Sequence, residues 1–441
     1  MDQMGLVVAR FAMAVAPHAQ LIWIVCGRGK SGASGYAAAH YLQKWGKQPV
    51  VTRCPGGLQD QDTTWETPGL AEKSSVVFSD TAPDTYDLCI DALIGIDQVE
   101  DYSLHVPDLI ALINSGKSPV LAVDVPAGLN AETGEISSLC VRADFTLCLG
   151  TLRVGPFTAG GRDACGEIWF NDLGLEQPVT AIAHLIPEPL SNPRAHRSHK
   201  GSYGDVGVVG GSTGMVGAAI LAATGALYGG AGRIYVGLLD QSNRQSDFYQ
   251  PELMFRQLQD IEFERSTIVA GCGGGKDIQE HLEAIIRRSS NLVLDADALN
   301  AIAHTPHLQN LVARRKAGTT VMTPHPLEAA RLMALSCVQV QAHRITVAQA
   351  MADRFACTVV LKGSGTIVAA PEKTPGVNLT GNARLASAGT GDVLAGFIGA
   401  RIAAGGDIFT ETCNAVYLHG RVANAWNSQD GLTALRLAQH L

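Results

Sequence analysis

Ala388-Gly389-Thr390-Gly391-Asp392-Val393-Leu394-Ala395-Gly396 reads as the start of a helix whose first turn carries no large side chain. Glycine on both sides of Thr390 leaves the first backbone amides open, so a phosphate fits against them with the positive end of the helix dipole behind it. Asp392 stands inside that turn, where a carboxylate either caps the helix or accepts a proton from a reacting hydroxyl. Just upstream, Asn378-Leu379-Thr380-Gly381-Asn382 is a second turn-forming run. Glycine recurs at other strand ends of the same half, and that recurrence favours the catalytic reading of Asp392 over a cap.

Working outward, short β-rich runs alternate with helix-compatible stretches, the βαβ rhythm of a parallel sheet. The runs in the first half are Leu21–Cys26, Val50–Thr52, Ser75–Phe78, Leu88–Ile90, Val120–Val123 and Phe145–Leu149. In the second they are Val206–Val209, Ile234–Leu238, Ile268–Ala270, Leu292–Leu294, Thr320–Met322, Thr358–Leu361 and Thr366–Ala369. The stretch from Glu176 to His199 interrupts the rhythm with Pro178, Pro187, Pro189 and Pro193, and the domain boundary is placed there. The expected architecture is α/β, with two three-layer domains at residues 1–180 and 195–441. His196 and His199 have no Cys or carboxylate partner nearby and read as solvated linker rather than metal ligands.

At 441 residues the chain exceeds one ordinary core, and 46% apolar residues with 48 glycines suit buried parallel sheets. A net charge of −8 gives no general attraction to nucleic acid or to an anionic membrane, and small soluble ligands fit better. The ten cysteines include no C-x-x-C pair and read as reduced thiols of a cytoplasmic protein. The first twenty residues lack the pattern of a signal peptide, and Leu21–Cys26 is too short to span a bilayer.

Further motifs fall directly after strands of the second half. Gly210-Gly211-Ser212-Thr213-Gly214 and Gly271-Cys272-Gly273-Gly274-Gly275 are turns that let a ligand lie against backbone. Asp295 and Asp297 are acids for a magnesium shell, a hydroxyl contact or a helix cap. His325, between two prolines at a strand end, is presented to a ligand, and Lys362-Gly363-Ser364-Gly365-Thr366 suits a nucleotide's phosphates.

In the first half, Gly27-Arg28-Gly29-Lys30-Ser31-Gly32 satisfies G-x-G-x-x-G at a strand-to-helix junction. The next strand ends at Arg53 rather than the acid a dinucleotide reader wants, and Ile24 stands where a P-loop needs its first glycine. A tight turn and a phosphate contact both remain open for it. Asp91 and Asp124 each follow an apolar strand at the edge where open α/β sheets bind ligands.

These first-half segments, with Ala131-Glu132-Thr133-Gly134 and Gly160-Gly161-Arg162, resemble the NAD(P)H-hydrate epimerase family from about Gly5 to Leu175. That family has a Rossmann-like domain and interconverts the epimers of hydrated nicotinamide cofactors. Where its first loop reads Asn-Asn-Gly-Gly-Asp-Gly this chain has Lys30-Ser31-Gly32-Ala33-Ser34-Gly35, and where its second has Gly-Thr-Gly this chain has Gly95-Ile96-Asp97. The resemblance implies a potassium site near Ser31, Asp91 and position 127, but the family's serine is replaced by Ala127. Loss of hydroxyl and amide ligands predicts a vestigial site at Lys30, Ser31, Gly32, Asp91 and Asp124, with weak or no epimerase activity.

The second half resembles the ribokinase-like superfamily and, more closely, the NAD(P)H-hydrate dehydratase family. It matches in order the opening Lys200-Gly201-Ser202-Tyr203-Gly204, Thr323-Pro324-His325-Pro326, Lys362-Gly363-Ser364-Gly365-Thr366 and Gly389-Thr390-Gly391-Asp392. Cys272 stands where a proline is common, and Gly274 where a leucine is usual. The resemblance implies that Ala218, Gly273, His325 and Asp392 bind hydrated NADH or NADPH, and that Lys362 to Thr366 and Gly391 bind ADP or ATP with Mg²⁺. Asp392 is then the catalytic base. A homo-oligomer is expected. The alternatives are an enzyme with both activities intact, and a small-alcohol kinase with an N-terminal binding or assembly module.

Overall fold

A computed structural model describes residues 2–27, 29–54, 76–96, 105–136, 138–176, 180–190, 195–240, 246–247, 249–427 and 429–441. The chain divides into two compact units, Met1–Thr180 and Ala181–Leu441. The sequence readings that touch Arg28, Ser75, Asp97, Pro178 and Pro193 lie outside the described residues.

The first unit is built on a parallel sheet of β1 (Leu21–Cys26), β2 (Gln48–Arg53), β3 (Val77–Ser79), β4 (Leu88–Ala92), β5 (Val120–Val123), β6 (Phe145–Leu149) and β7 (Glu167–Asn171). Their spatial order is β3-β2-β1-β4-β5-β6-β7, which reverses direction between β1 and β4. On one face Ile22, Ile24 and Val51 pack with Val8, Ala9, Ala38 and Leu42 of the helices Asp2–Val15 and Gly29–Lys44. On the other, Trp23, Val25 and Ala122 pack with Leu109, Ile110 and Ile113 of helix Val106–Ser115. Burial on both faces is why these strands read as unbroken apolar runs.

The second unit has ten strands: β8 (His184–Leu185), β9 (Asp205–Gly210), β10 (Arg233–Leu238), β11 (Met254–Phe255), β12 (Thr267–Ala270), β13 (Asn291–Leu294), β14 (Thr320–Met322), β15 (Thr358–Leu361), β16 (Ile367–Ala369) and β17 (Gly376–Val377). Their order is β11-β10-β9-β12-β13-β14-β15-β16-β17-β8, with the switch between β9 and β12. The pairings are parallel except at β15–β16 and β16–β17. Val206, Val208, Val269, Val293, Val321 and Val360 share a core with helices Val216–Tyr228 and Thr390–Ala403. Their alternates Ile268, Leu292, Leu294 and Val359 are equally buried and point to the opposite face.

The stretch expected as a bare linker contributes β8, which pairs with β17, so the second unit begins at Ala181 rather than 195. Two-residue strands such as β8, β11 and β17 carry no periodicity that a sequence could reveal. The largely exposed edge strand β7 went unread although it carries the apolar run Ile168-Trp169-Phe170. Among the described residues no helix is long and apolar enough to cross a membrane.

Glycine sets one distance on which the site depends. A Cβ at Gly396 would stand 1.7 Å from the Ala222 carbonyl oxygen, and one at Gly225 2.3 Å from that of Val393, so the helices Val216–Tyr228 and Thr390–Ala403 touch backbone to backbone. Gly396→Ala is expected to cost about 2 kcal/mol or more. Gly217→Ala, where a Cβ meets nothing within 4 Å, is expected to be neutral or stabilising by up to about 1 kcal/mol. Urea-denaturation midpoints of the two variants check the contrast.

Candidate active site

In the second unit the loops after β9, β12, β13, β14 and β15 all open at the carboxyl edge of the sheet, around the switch point where such folds bind ligands. Ser212 ties two of them together across the switch: its N–H donates to the Gly273 carbonyl at 2.7 Å and its hydroxyl to that of Gly274 at 2.5 Å. Gly273 has φ +58°, and a Cβ there would lie 2.8 Å from that of Ala218, so the expected pair Ala218 and Gly273 meet in one wall.

Helix Thr390–Ala403 begins at Gly389, which adopts φ +89° and supplies no side-chain cap. Asp392 is therefore a first-turn residue and not the cap. Its pKa is pushed up to about 6, first by burial and then by the nearby charge of Asp295, against the opposing pull of the Cys272 thiol and Lys362. Such a carboxylate is ionised at neutral pH yet basic enough to take a proton.

Asp295, buried directly after β13, precedes a strained residue: Ala296 has φ +50°, a conformation that costs an alanine about 1 kcal/mol or more. One carboxylate oxygen accepts from Lys362 Nζ at 2.7 Å and from the Thr323 hydroxyl at 2.8 Å. Burial works against the Lys362 charge, but Asp295 and Glu328 outweigh it and raise the pKa. The ammonium sits beside the helix start, 3.4 Å from where a Cβ on Gly391 would be. Asp297, the other acid, accepts from the Gly275 N–H at 2.8 Å.

His325 differs from the sequence expectation in what it offers. It caps helix Pro326–Met333, its Nδ1 accepting from the N–H groups of Leu327 (3.1 Å) and Glu328 (3.4 Å), while Nε2 lies 3.2 Å from Glu328 Oε1. Both nitrogens are engaged, so the half-exposed ring presents its carbon edge and face. Burial pushes Glu328 up to about 7 and lowers His325.

The Lys362–Thr366 loop is fixed by the Lys362 N–H donating to the Pro324 carbonyl at 2.9 Å and by Gly363 and Gly365 at φ +134° and +65°. Beneath it lies Arg344. Sequence reading missed Arg344, and it missed His419, whose Nε2 donates to the Thr390 carbonyl at 3.0 Å and whose pKa burial pushes down to about 4. Both sit inside helices with no local motif to mark them. Thr323 lay within a quoted motif and Glu328 two residues beyond it, but the partner of Thr323 just after β13 is set by tertiary contact.

In the first unit, a cleft of about 430 Å³ opens at the β1/β4 edge between Lys30, Ser31, Gly95, Asp124 and Arg153. Asp91 is buried below, its two oxygens accepting from the N–H groups of Leu93 (3.1 Å) and Ala127 (2.8 Å), with its pKa raised to about 6 by burial. Asp124 stands at φ +67° and accepts from the Leu149 N–H at 2.9 Å. Ser31 Oγ is buried with no hydrogen-bond partner among the described residues. Gly32 serves packing, because a Cβ there would collide with the Gly27 carbonyl at 2.0 Å. A hard cation wants several oxygen ligands, and here Ala127 adds no side-chain oxygen while each Asp91 oxygen already accepts one backbone N–H.

A family model described as NAD(P)H-hydrate dehydratase matches residues 206–441, and one described as YjeF-related protein N-terminus matches residues 1–155. The bifunctional NAD(P)H-hydrate repair enzyme Nnr of Escherichia coli is 32% identical over 94% of this chain and 82% of its own length. The enzyme of the same description from Coxiella burnetii is 30% identical over 96% and 90%. Among solved structures, a ribokinase-like superfamily protein from Enterococcus faecalis is 23% identical, covers 60% of this chain and 96% of its own, and superposes with a TM-score of 0.51. It shares the fold of the second unit.

The buried ion pair gives a stability test. Lys362→Met leaves Asp295 charged, buried and unpaired, and is expected to cost about 3 kcal/mol. Adding Asp295→Asn is expected to recover much of that loss, as read from denaturation midpoints of the single and double variants.

Proposed function

The chain belongs to the family of bifunctional NAD(P)H-hydrate repair enzymes, and from that premise we propose that its second unit dehydrates the S form of hydrated NADH or NADPH with Asp392 as base and ADP or ATP as phosphoryl donor. The observation that carries the proposal is Asp392 itself, raised in pKa and set in an uncapped helix start beside Lys362. Hydroxide is a poor leaving group, and converting it to a phosphate ester makes its departure feasible at neutral pH. Asp392 takes the proton of the ring hydroxyl as that oxygen bonds to the terminal phosphorus, and the bond from phosphorus to the nucleotide's bridging oxygen breaks. Lys362 and the amides of the helix start stabilise the charge on the transferring group. The bond from ring carbon to oxygen then breaks with phosphate as the leaving group, the adjacent ring carbon gives up a proton to solvent, and the double bond so formed restores the reduced nicotinamide ring.

Ala218, Gly273 and the face of His325 form the wall for the hydrate, and Lys362 to Thr366 with Gly391 the cradle for the nucleotide. Mg²⁺ accompanying the nucleotide neutralises phosphate charge. Lys362 and Thr323 share one oxygen of Asp295, so its other oxygen, together with Asp297 and Asp392, would be available to meet the ion.

For the first unit we infer retained binding with weak or no epimerase activity, supported by the depleted oxygen set around Ser31, Asp91 and Ala127 and by Lys30 at the cleft. No step is assigned to potassium there.

Two experiments test these readings. Asp392→Asn is expected to lower kcat by about 10²–10⁴-fold with ADP binding retained. In the wild type the rate is expected to fall as pH drops through about 6, since protonation removes the base; a flat profile from pH 8 to 5 would contradict this. Incubation of the full chain with mixed R and S hydrates, Mg²⁺ and ADP is expected to release phosphate and restore reduced-nicotinamide absorbance for the S fraction, with the R fraction persisting. Clearance of the R fraction faster than its uncatalysed epimerisation would refute the reading of the first unit, and a stable phosphoester would point to a kinase.

A further inference from the structure

Arg344, the first residue of helix Arg344–Phe355, is buried directly under the Lys362–Thr366 loop. One guanidinium nitrogen, Nη2, lies within hydrogen-bond distance of three loop carbonyls, those of Leu361 (3.1 Å), Lys362 (3.2 Å) and Gly365 (3.3 Å). The other, Nη1, donates to Gln341 Oε1 at 2.6 Å. Nε is buried without a hydrogen-bond partner among the described residues. Gly363 passes so close that a Cβ would stand 3.0 Å from Nη1. Among the described residues no acidic side chain acts on this cation. Burial alone moves its pKa, down to about 10, so it is charged at neutral pH.

A buried charge without a counter-ion is costly unless something compensates it. The three carbonyl dipoles do so in part. In a trans peptide the C=O and N–H point opposite ways, so drawing the Lys362 and Gly365 carbonyls inward turns the N–H groups of Gly363 and Thr366 away from Arg344 and outward. The loop therefore presents donors on its outer side and carries an incompletely neutralised cation on its inner side. Both features match a multiply charged anion lying over the loop.

We propose that Arg344 is a positioning residue that acts through the Lys362–Thr366 loop as the buried counter-charge for the phosphates of the nucleotide. This rests on the assignment of that loop to the nucleotide.

The test uses the full chain, with ADP and adenosine as probes titrated by calorimetry and thermal melts as the folding control. Lys362→Ala is expected to weaken ADP binding. If the wild type fails to bind ADP, or Lys362→Ala binds it equally well, the assignment of the loop falls, and the Arg344 proposal with it. With that assignment upheld, Arg344→Gln is expected to weaken ADP about tenfold and raise its KM while adenosine affinity and the KM for the hydrate hold. Equal loss for ADP and adenosine, or no loss, overturns the proposal in favour of plain structural support. Arg344→Lys keeps the charge and decides the matter even if the Gln variant does not fold. A buried lysine loses its proton at lower pH than an arginine, so its ADP affinity is expected to fall between pH 7 and 9 where the wild type stays level. A level profile in the Lys variant overturns the proposal.

Discussion

The bond from Lys362 Nζ to Asp295 holds the second unit's site together, because it joins the ends of β13 and β15 under the start of helix Thr390–Ala403. Without the ammonium, Asp295 would add a second uncompensated negative charge beside Asp392 and push that carboxyl further from ionisation. Without Asp295, burial would work unopposed by its main partner against the Lys362 charge. The pair therefore settles two protonation states at once. The Thr323 hydroxyl on the same carboxylate oxygen extends the tie to the loop after β14.

Much of this was legible in the sequence because parallel strands buried on both faces must be apolar throughout, and the loops that follow them need glycine. That is how β1, β5, β6, β14 and β15 could be read to their ends, and why Asp295, His325, Lys362 and Asp392 stood out at strand ends and a helix start. What stayed hidden was contact across distant sequence. Arg344 is eighteen residues from Lys362, whose carbonyl it reaches, and His419 is twenty-nine from Thr390. No periodicity encodes such pairs. The chemistry of His325 was hidden for a related reason, since only the cap on helix Pro326–Met333 shows where its nitrogens point.

The two units solve one problem with unequal means. Each puts a non-glycine residue at positive φ just past a central strand, Asp124 after β5 and Ala296 after β13, and each sets acids at its switch-point edge. In the second unit the buried carboxylate meets a lysine and a hydroxyl. In the first, Asp91 meets only backbone N–H groups, so its charge is stabilised by dipoles and its role is to hold the loops at Leu93 and Ala127 in place.

Capping fixes what the imidazole of His325 can offer. With one nitrogen filled by helix amides and the other turned to Glu328, gaining a proton would mean surrendering the cap, and burial already disfavours the charged ring. Both effects favour the neutral ring, which presents its carbon edge and face to the site. Under the proposed function, the group that takes the proton and the group that walls in the hydrate are thus separate, Asp392 for the one and His325 for the other.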